Sequence, residues 1–523
     1  MKKWSVTRNL VIVFVLLELI VWGTWSPMPI QADTIQTQAK GSAQKPIKEF
    51  QSSTKYQVNA QVDPDKHVVS GTLSVEFPAV DTSKVYFHLY PNAFRERSEL
   101  SQPNWRYELG DDRIPGQIDI QEVWVNNQSV AFQVHNTILE VPFPKKANQN
   151  QLTHVRLSFE LKVPKNNGRL SYDDHAIWLG NWLPILAVKE AAGWRLDDYY
   201  PIGDPFFSEV ADFDVQIRVP KEYQVATSGL ESQAVITETK PKGVRLYDIQ
   251  GVNIRDFAVA VMDSSYHSLT SKVGDTLVNT WYRQDDDQAA VQQLHDVAQK
   301  SLRYYSNSFG AYPYREYDVV RTGGFFGGME YPGVVFIQDR YFQEPNGYGA
   351  AVVAHETAHQ WFYGMVGSDE IREAWVDESL TDYAAMAFLT QYNQKLAAPY
   401  IMRRTTLGHL ADSYTSRGIV AWQSVDKFPD WKSYSDLVYS RGATMLWELR
   451  KAWGEDVINE ALRYYCSNHQ YKNATGNDVI EAFTHVTGAS AKPYFQYWLQ
   501  LKVDQEKQAF QWVTDGKGKV HTK

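Results

Sequence analysis

The chain has 523 residues, of which 43% are hydrophobic, 22% charged and 14% aromatic, enough for about two to four domains with real cores and too aromatic for a largely disordered chain. Lys and Arg number 52 against 61 Asp and Glu, a net charge of −9, so no phosphate-neutralising excess exists and nucleic acid is excluded as the main partner. The single cysteine, Cys466, excludes an intrachain disulfide framework and thiolate-based structural zinc.

At the N-terminus, Lys2, Lys3 and Arg8 flank an apolar run from Leu10 to Trp25 that only Glu18 interrupts. The run is short for a membrane span, which needs about 20 residues. Residues 1–32 are therefore expected to be a signal peptide in preference to an uncleaved anchor. Either way the body is expected outside the cytoplasm, secreted or membrane-anchored, with the membrane touched only through this segment. Residues 33–52, rich in Gln, Ser, Thr, Lys and Ala, are expected to form a flexible linker.

From Tyr56 the pattern has period two. Tyr56, Val58, Ala60 and Val62 alternate with polar residues, Asp63-Pro64-Asp65 turns the chain, and Val69, Gly71, Leu73, Val75 and Phe77 alternate again. Similar runs recur at 84–89, 123–125, 155–163, 212–219 and 245–251. Residues 53–267 are thus expected to be an all-β, sandwich-like domain. Residues 268–505 are expected to form an α+β domain running into helices. It has a strand at Thr276–Arg283, a helix at Gln288–Phe309, a β-rich stretch at 318–338, and helices at 347–364, 370–392, 436–453, 455–469 and 476–486. Residues 506–523 are left as a C-terminal tail.

The sharpest signal is His355-Glu356-Thr357-Ala358-His359 in a strongly helical context. Residues four apart share a helix face, so both imidazoles can reach one ion, and Glu356 lies about 100° further round, where it can hold a water. Zinc with two histidines needs a third ligand. Glu378, in Trp375-Val376-Asp377-Glu378-Ser379, is the candidate, with Asp377 as its neighbouring rival or a merely exposed first-turn carboxylate. Asp382, one turn after Glu378, either accepts a hydrogen bond from the non-metal nitrogen of His355 or faces solvent. Cys466 reads as a helix-packing residue, the tryptophans as packing rather than sugar platforms, and Asp285-Asp286-Asp287 as a helix start rather than a calcium site.

These motifs resemble the gluzincin zinc metallopeptidases, and among them the aminopeptidase N family, which includes leukotriene hydrolase. His355, Glu356, His359 and Glu378 match its His-Glu-x-x-His, eighteen-residue, Glu pattern. Gly327-Gly328-Met329-Glu330-Tyr331 resembles the Gly-x-Met-Glu-Asn exopeptidase motif, Tyr439-Ser440-Arg441-Gly442-Ala443 the Tyr-x-Lys-Gly-Ala segment, and Tyr86-Phe87-His88-Leu89-Tyr90-Pro91-Asn92 a strand of the family's N-terminal saddle domain. The resemblance covers about Tyr56 to residue 500. It implies a β saddle followed by a thermolysin-like catalytic domain, in a short form without the family's large C-terminal helical domain. It further implies one Zn²⁺ per chain held by His355, His359 and Glu378, with Glu356 as general base and Tyr439 stabilising the oxyanion. Gly327, Gly328, Met329 and Glu330 would bind the free N-terminus of a peptide substrate. Tyr331 in place of Asn and Arg441 in place of Lys depart from the pattern, and the stretch from Glu190 to Tyr200 offers no match for a second amine anchor. A zinc endopeptidase or dipeptidase with relaxed recognition is the nearest alternative, and a non-catalytic peptide-binding protein the next.

Overall fold

The computed structural model describes residues 50–520, apart from 81, 144–151, 232–234, 238–242 and 324–326. The chain divides into two units, 1–49 and 50–523, and everything below concerns the second. The expected targeting segment and nearly all of the linker lie outside the described residues. Among the described residues no helix is long and apolar enough to cross a membrane.

Strands β1 (Lys55–Asp63) and β2 (Val68–Pro78) form the expected hairpin, with Val58 opposite Leu73. Their alternation buries Tyr56, Val58, Ala60 and Val62 and leaves the residues between them exposed. β3 (Gln117–Val125), β4 (Leu152–Lys162), β5 (Ala211–Pro220) and β6 (Val244–Ile254) extend this into a nine-stranded sheet, with central order β6–β5–β1–β2–β4–β3. Two four-stranded sheets complete the β domain. One joins 224–227, 259–262, 176–179 and 170–172, and the other 185–186, 84–88, 138–142 and 133–135. The inward faces share one apolar core around Val69, Leu73, Phe87, Leu157 and Trp182.

The chain then enters a five-stranded sheet of order β7–β8–β9–β11–β10. Its strands are β7 (Tyr266–Val273), β8 (Thr276–Arg283), β9 (Glu316–Thr322), β10 (Gly328–Met329) and β11 (Val334–Gln338). β8, β9 and β11 run parallel, while β7 and the edge strand β10 run antiparallel to their neighbours. Helix α1 (Gln288–Phe309) begins where the Asp287 carboxylate accepts from the Ala290 N–H. Helices α2 (Gly347–Ala358) and α3 (Trp375–Tyr392) pack against each other, and fifteen of the eighteen residues of α3 are buried. The helical part continues as α4 (Gln394–Leu410), α5 (Gly442–Trp453), α6 (Glu455–His469), α7 (Gly476–Thr487), α8 (Lys492–Gln500) and α9 (Glu506–Val520).

Some elements differ from expectation. The helix expected over 347–364 stays α only to Ala358, then widens into a π-type turn at Gln360–Met365, where Phe362 leaves helical geometry at φ −103°. α3 starts at Trp375 and not at 370. α4 escaped the periodicity reading because it buries little beyond Ala397, Tyr400 and Gly408. The stretch from 506, expected as a tail, is helix α9, held by the buried Ala509 and Trp512 and by the Trp453 indole donating to the Val513 carbonyl at 2.9 Å.

The seam between the β domain and the five-stranded sheet positions the site. Ala176, Trp178, Ala260 and Met262 meet Val320, Met329, Tyr331 and Phe336 in one apolar cluster. Beside it the buried Arg169 pairs with Asp204 at 2.5 Å and reaches the Met329 sulfur at 3.2 Å. The edge strand β10 is thereby clamped from the β-domain side.

Candidate metal centre and active site

α2 presents His355 and His359 from successive turns, and α3 answers with Glu378. All three are buried. His355 Nε2 lies 3.0 Å from His359 Nε2 and 3.2 Å from Glu378 Oε2, and His359 Nε2 lies 3.5 Å from that same oxygen. A tetrahedral ion with bonds of about 2.0–2.1 Å sets its ligand atoms about 3.3–3.4 Å apart. Two imidazoles and one carboxylate converging at that spacing fit zinc, and these are the residues that would hold it.

A second layer follows from the same helix geometry. Asp377 and Thr381, four apart on α3, both face the other nitrogen of His359: Asp377 Oδ1 at 2.8 Å and Thr381 Oγ1 at 3.2 Å from Nδ1. Glu378 and Asp382, the adjacent pair, face His355, with Asp382 Oδ1 3.4 Å from its Nδ1. Asp382 is fully buried, so the solvent-facing alternative is corrected. Asp377 is neither a ligand of the convergent triad nor exposed; it is 1% exposed and orients His359. Burial would raise the Glu378 carboxyl, but hydrogen bonds from the two imidazoles outweigh it and hold the group below the usual carboxylate range.

The site opens into a cavity of about 830 Å³, lined by Gly327, Gly328, Glu330, Glu356 and Tyr439 together with the three candidate ligands. Glu356 is buried and one of its oxygens has no protein partner. Burial pushes its carboxyl up to about 7 against the pull of His355 and His359. Glu330, also buried with an unpartnered oxygen, is pushed well above the carboxylate range by burial, with His359 pulling it down and Asp204 and Glu356 adding to the rise. Two glycines make this closeness fit. Gly327 sits at φ +140°, and a Cβ on Gly328 would collide with the Glu356 carboxylate. Tyr439 lies in a π-type turn at Ser435–Arg441. Its hydroxyl donates to Glu378 Oε1 at 2.5 Å and its ring stacks on His355 at 5.8 Å.

Met329, expected among the substrate-binding residues, turns its side chain away from the cavity, because alternate residues of a strand face opposite sides; it fills the seam with Trp178. Tyr331 is also buried in that seam, its hydroxyl donating to Asn181 Oδ1 at 2.7 Å, and so does not line the cavity. Arg441 ties three segments together through Trp498 O at 2.5 Å, Gly408 O at 3.2 Å and Asp412 at 2.7 Å. Among the cavity residues that the sequence did not single out are Asp204, ahead of the β-domain strand at 211–220, and Arg404, on the unexpected helix α4.

A two-helix His-Glu-x-x-His and Glu centre beside a five-stranded mixed sheet is the arrangement expected above for a gluzincin-type metallopeptidase. Residues 294–498 match the family model described as Peptidase family M1 domain. The chain is 23% identical over 270 residues to an aminopeptidase N of Streptomyces lividans, covering 47% of this chain and 31% of that protein. It is 22% identical over 364 residues to human endoplasmic reticulum aminopeptidase 2, covering 65% and 36%. A crystal structure of a mutant M1 zinc metallopeptidase from Deinococcus radiodurans shares the fold, with a TM-score of 0.59, 16% identity and coverage of 85% of this chain and 93% of that one. These similarities support an aminopeptidase N-like gluzincin, through the match of residues 294–498 to the M1 domain and through the curated aminopeptidases. The match spans about a third of the length of these curated relatives.

Proposed function

We propose that the protein is a zinc aminopeptidase that removes N-terminal residues from peptides, with one zinc ion per chain. The observation that carries the reading is Glu330, a buried carboxylate with a free oxygen in the same cavity as Glu356 and the candidate ligands. A substrate α-ammonium there would give that carboxylate its counter-charge. A chain continuing past that point would leave a desolvated carboxylate without one. Zinc, when bound by His355, His359 and Glu378, supplies Lewis-acid polarisation and brings a water toward ionisation near neutral pH.

The chain's own residues do the rest. Glu356, within the cavity and with an open oxygen, accepts the proton of the attacking water and returns it to the leaving amine. The Tyr439 hydroxyl, resting on Glu378 Oε1, donates to the developing oxyanion once a substrate carbonyl enters beside it. The edge strand β10 at Gly328, with Gly327 just before it, offers its backbone to an extended peptide. The basic, then apolar, N-terminal sequence supports placing this activity outside the cytoplasm.

The test is hydrolysis of one peptide in free and N-acetylated forms, with and without a chelator, read by product mass. Chelator-sensitive loss of single residues from the free form alone is the expected result. Cleavage of both forms would leave a zinc endopeptidase, and zinc binding without cleavage of either would leave a peptide-binding protein.

A further inference from the structure

We propose that Arg404 is a positioning residue that holds the metal centre and the Tyr439 hydroxyl in register through one guanidinium. The inference deepens the reading above and rests on it for the Tyr439 half alone.

Arg404 lies on α4, outside both motif helices, and lines the cavity. Its Nε forms an ion pair with Asp382 Oδ2 at 2.8 Å. The other Asp382 oxygen takes the Tyr400 hydroxyl and faces His355 Nδ1 at 3.4 Å. Asp382 is fully buried, and a buried carboxylate needs a cation. A ligating His355 is a neutral imidazole and cannot be that cation. Arg404 is always protonated and meets the need at every pH.

The same group also reaches the other side of the site. Its guanidinium lies over the Tyr439 ring at 5.4 Å and over the Tyr400 ring at 5.1 Å, with Nη1 3.5 Å from Ser440 Oγ and Nη2 3.3 Å from the Tyr400 hydroxyl. Tyr439 in turn stacks on His355 and donates to Glu378. One planar cation therefore touches the carboxylate that faces His355 and the ring that carries the proposed oxyanion donor. A lysine would keep the charge on Asp382 but could not reach the Tyr439 ring, Ser440 and Tyr400 with one planar group.

The two contacts separate by substitution. Zinc affinity is measured by competition between the metal-free protein and a chromophoric chelator, alongside kcat and KM for peptide hydrolysis and the Tm of the zinc-loaded protein. Arg404→Gln is expected to weaken zinc binding about tenfold and to lower kcat more than tenfold, with KM within about twofold. Arg404→Lys is expected to recover most of the zinc affinity and little of kcat. Tyr400→Phe, which keeps the ring and the arginine, is expected to weaken zinc with a smaller effect on kcat.

Zinc affinity and kcat both within about twofold of wild type in Arg404→Gln would overturn the proposal. So would a lowered Tm accompanied by wild-type zinc affinity and turnover in the folded protein. If the glutamine variant does not fold, the lysine variant decides: unchanged kcat refutes the Tyr439 contact, and reduced kcat with zinc retained supports it. Should the wild type hydrolyse no peptide, the aminopeptidase reading fails, while the zinc titrations still decide the Asp382 contact.

Discussion

The Asp377 carboxylate lies 2.8 Å from His359 Nδ1, on the opposite side of the ring from the nitrogen that converges with His355 and Glu378. Neighbouring residues of α3 thus serve the same histidine from two sides, Glu378 beside the ion's position and Asp377 behind the ring. The Asp377 bond fixes the ring's orientation and tautomer, leaving Nε2 as the free donor toward a metal. Asp377→Asn should therefore weaken zinc binding by about 10–100-fold with little change in fold. Titration against a chromophoric chelator checks this; an unaltered affinity would show that the ring is held by packing alone.

Glu356 is not one of the convergent triad, lines the cavity and keeps one oxygen without a hydrogen-bond partner. Glu356→Gln is expected to retain one zinc per chain while kcat falls by about 10²–10⁴-fold, the range set by removing a positioned general base. Metal content and turnover must be measured on the same preparation. Turnover at the wild-type rate would move the proton-transfer role to another group.

The convergence of His355, His359 and Glu378 was legible in the sequence because helix periodicity turns spacing into geometry. His355 and His359 share a face, and Glu378 and Asp382 share another. Asp377 was visible only as a rival, since its role depends on which side of His359 α3 approaches, a tertiary fact. Arg404 gave no sign because α4 carries little apolar periodicity and its arginines read as surface. The β hairpin at 55–78 was read from alternation, whereas the fate of Met329 and Tyr331 turned on a seam between two sheets distant in sequence.

Gly328 tests the fit between strand and base. Its φ is not in the left-handed region, so an alanine backbone is tolerated, but the added Cβ meets the Glu356 carboxylate. Gly328→Ala should fold with a near-normal Tm and lose on the order of 10² in kcat, the scale of a misplacement of about 1 Å at a catalytic group. Wild-type kcat in the folded variant would mean that Glu356 has room to shift without loss.

Away from the metal, the Asp318 carboxyl on β9 is fully buried, and burial together with the neighbouring Glu316 pushes it up to about 8. The Trp281 indole donates to one of its oxygens at 2.9 Å, and Asn279 donates to Glu316 at 2.7 Å. The folded state thus holds a proton that the unfolded chain releases near the ordinary Asp value of about 3.9. Between those two values the native state binds more protons, so stability is full below about pH 4 and declines as pH rises toward 8. Asp318→Asn keeps an acceptor for Trp281 and removes the titration. The variant is expected to show a flatter dependence of Tm on pH from 5 to 8, and a Tm at pH 8 higher than wild type by on the order of a few degrees. Melting scans at saturating zinc across that range check it. Parallel curves for the two proteins would show that Asp318 is charged in the native state, with its burial offset by contacts other than a proton.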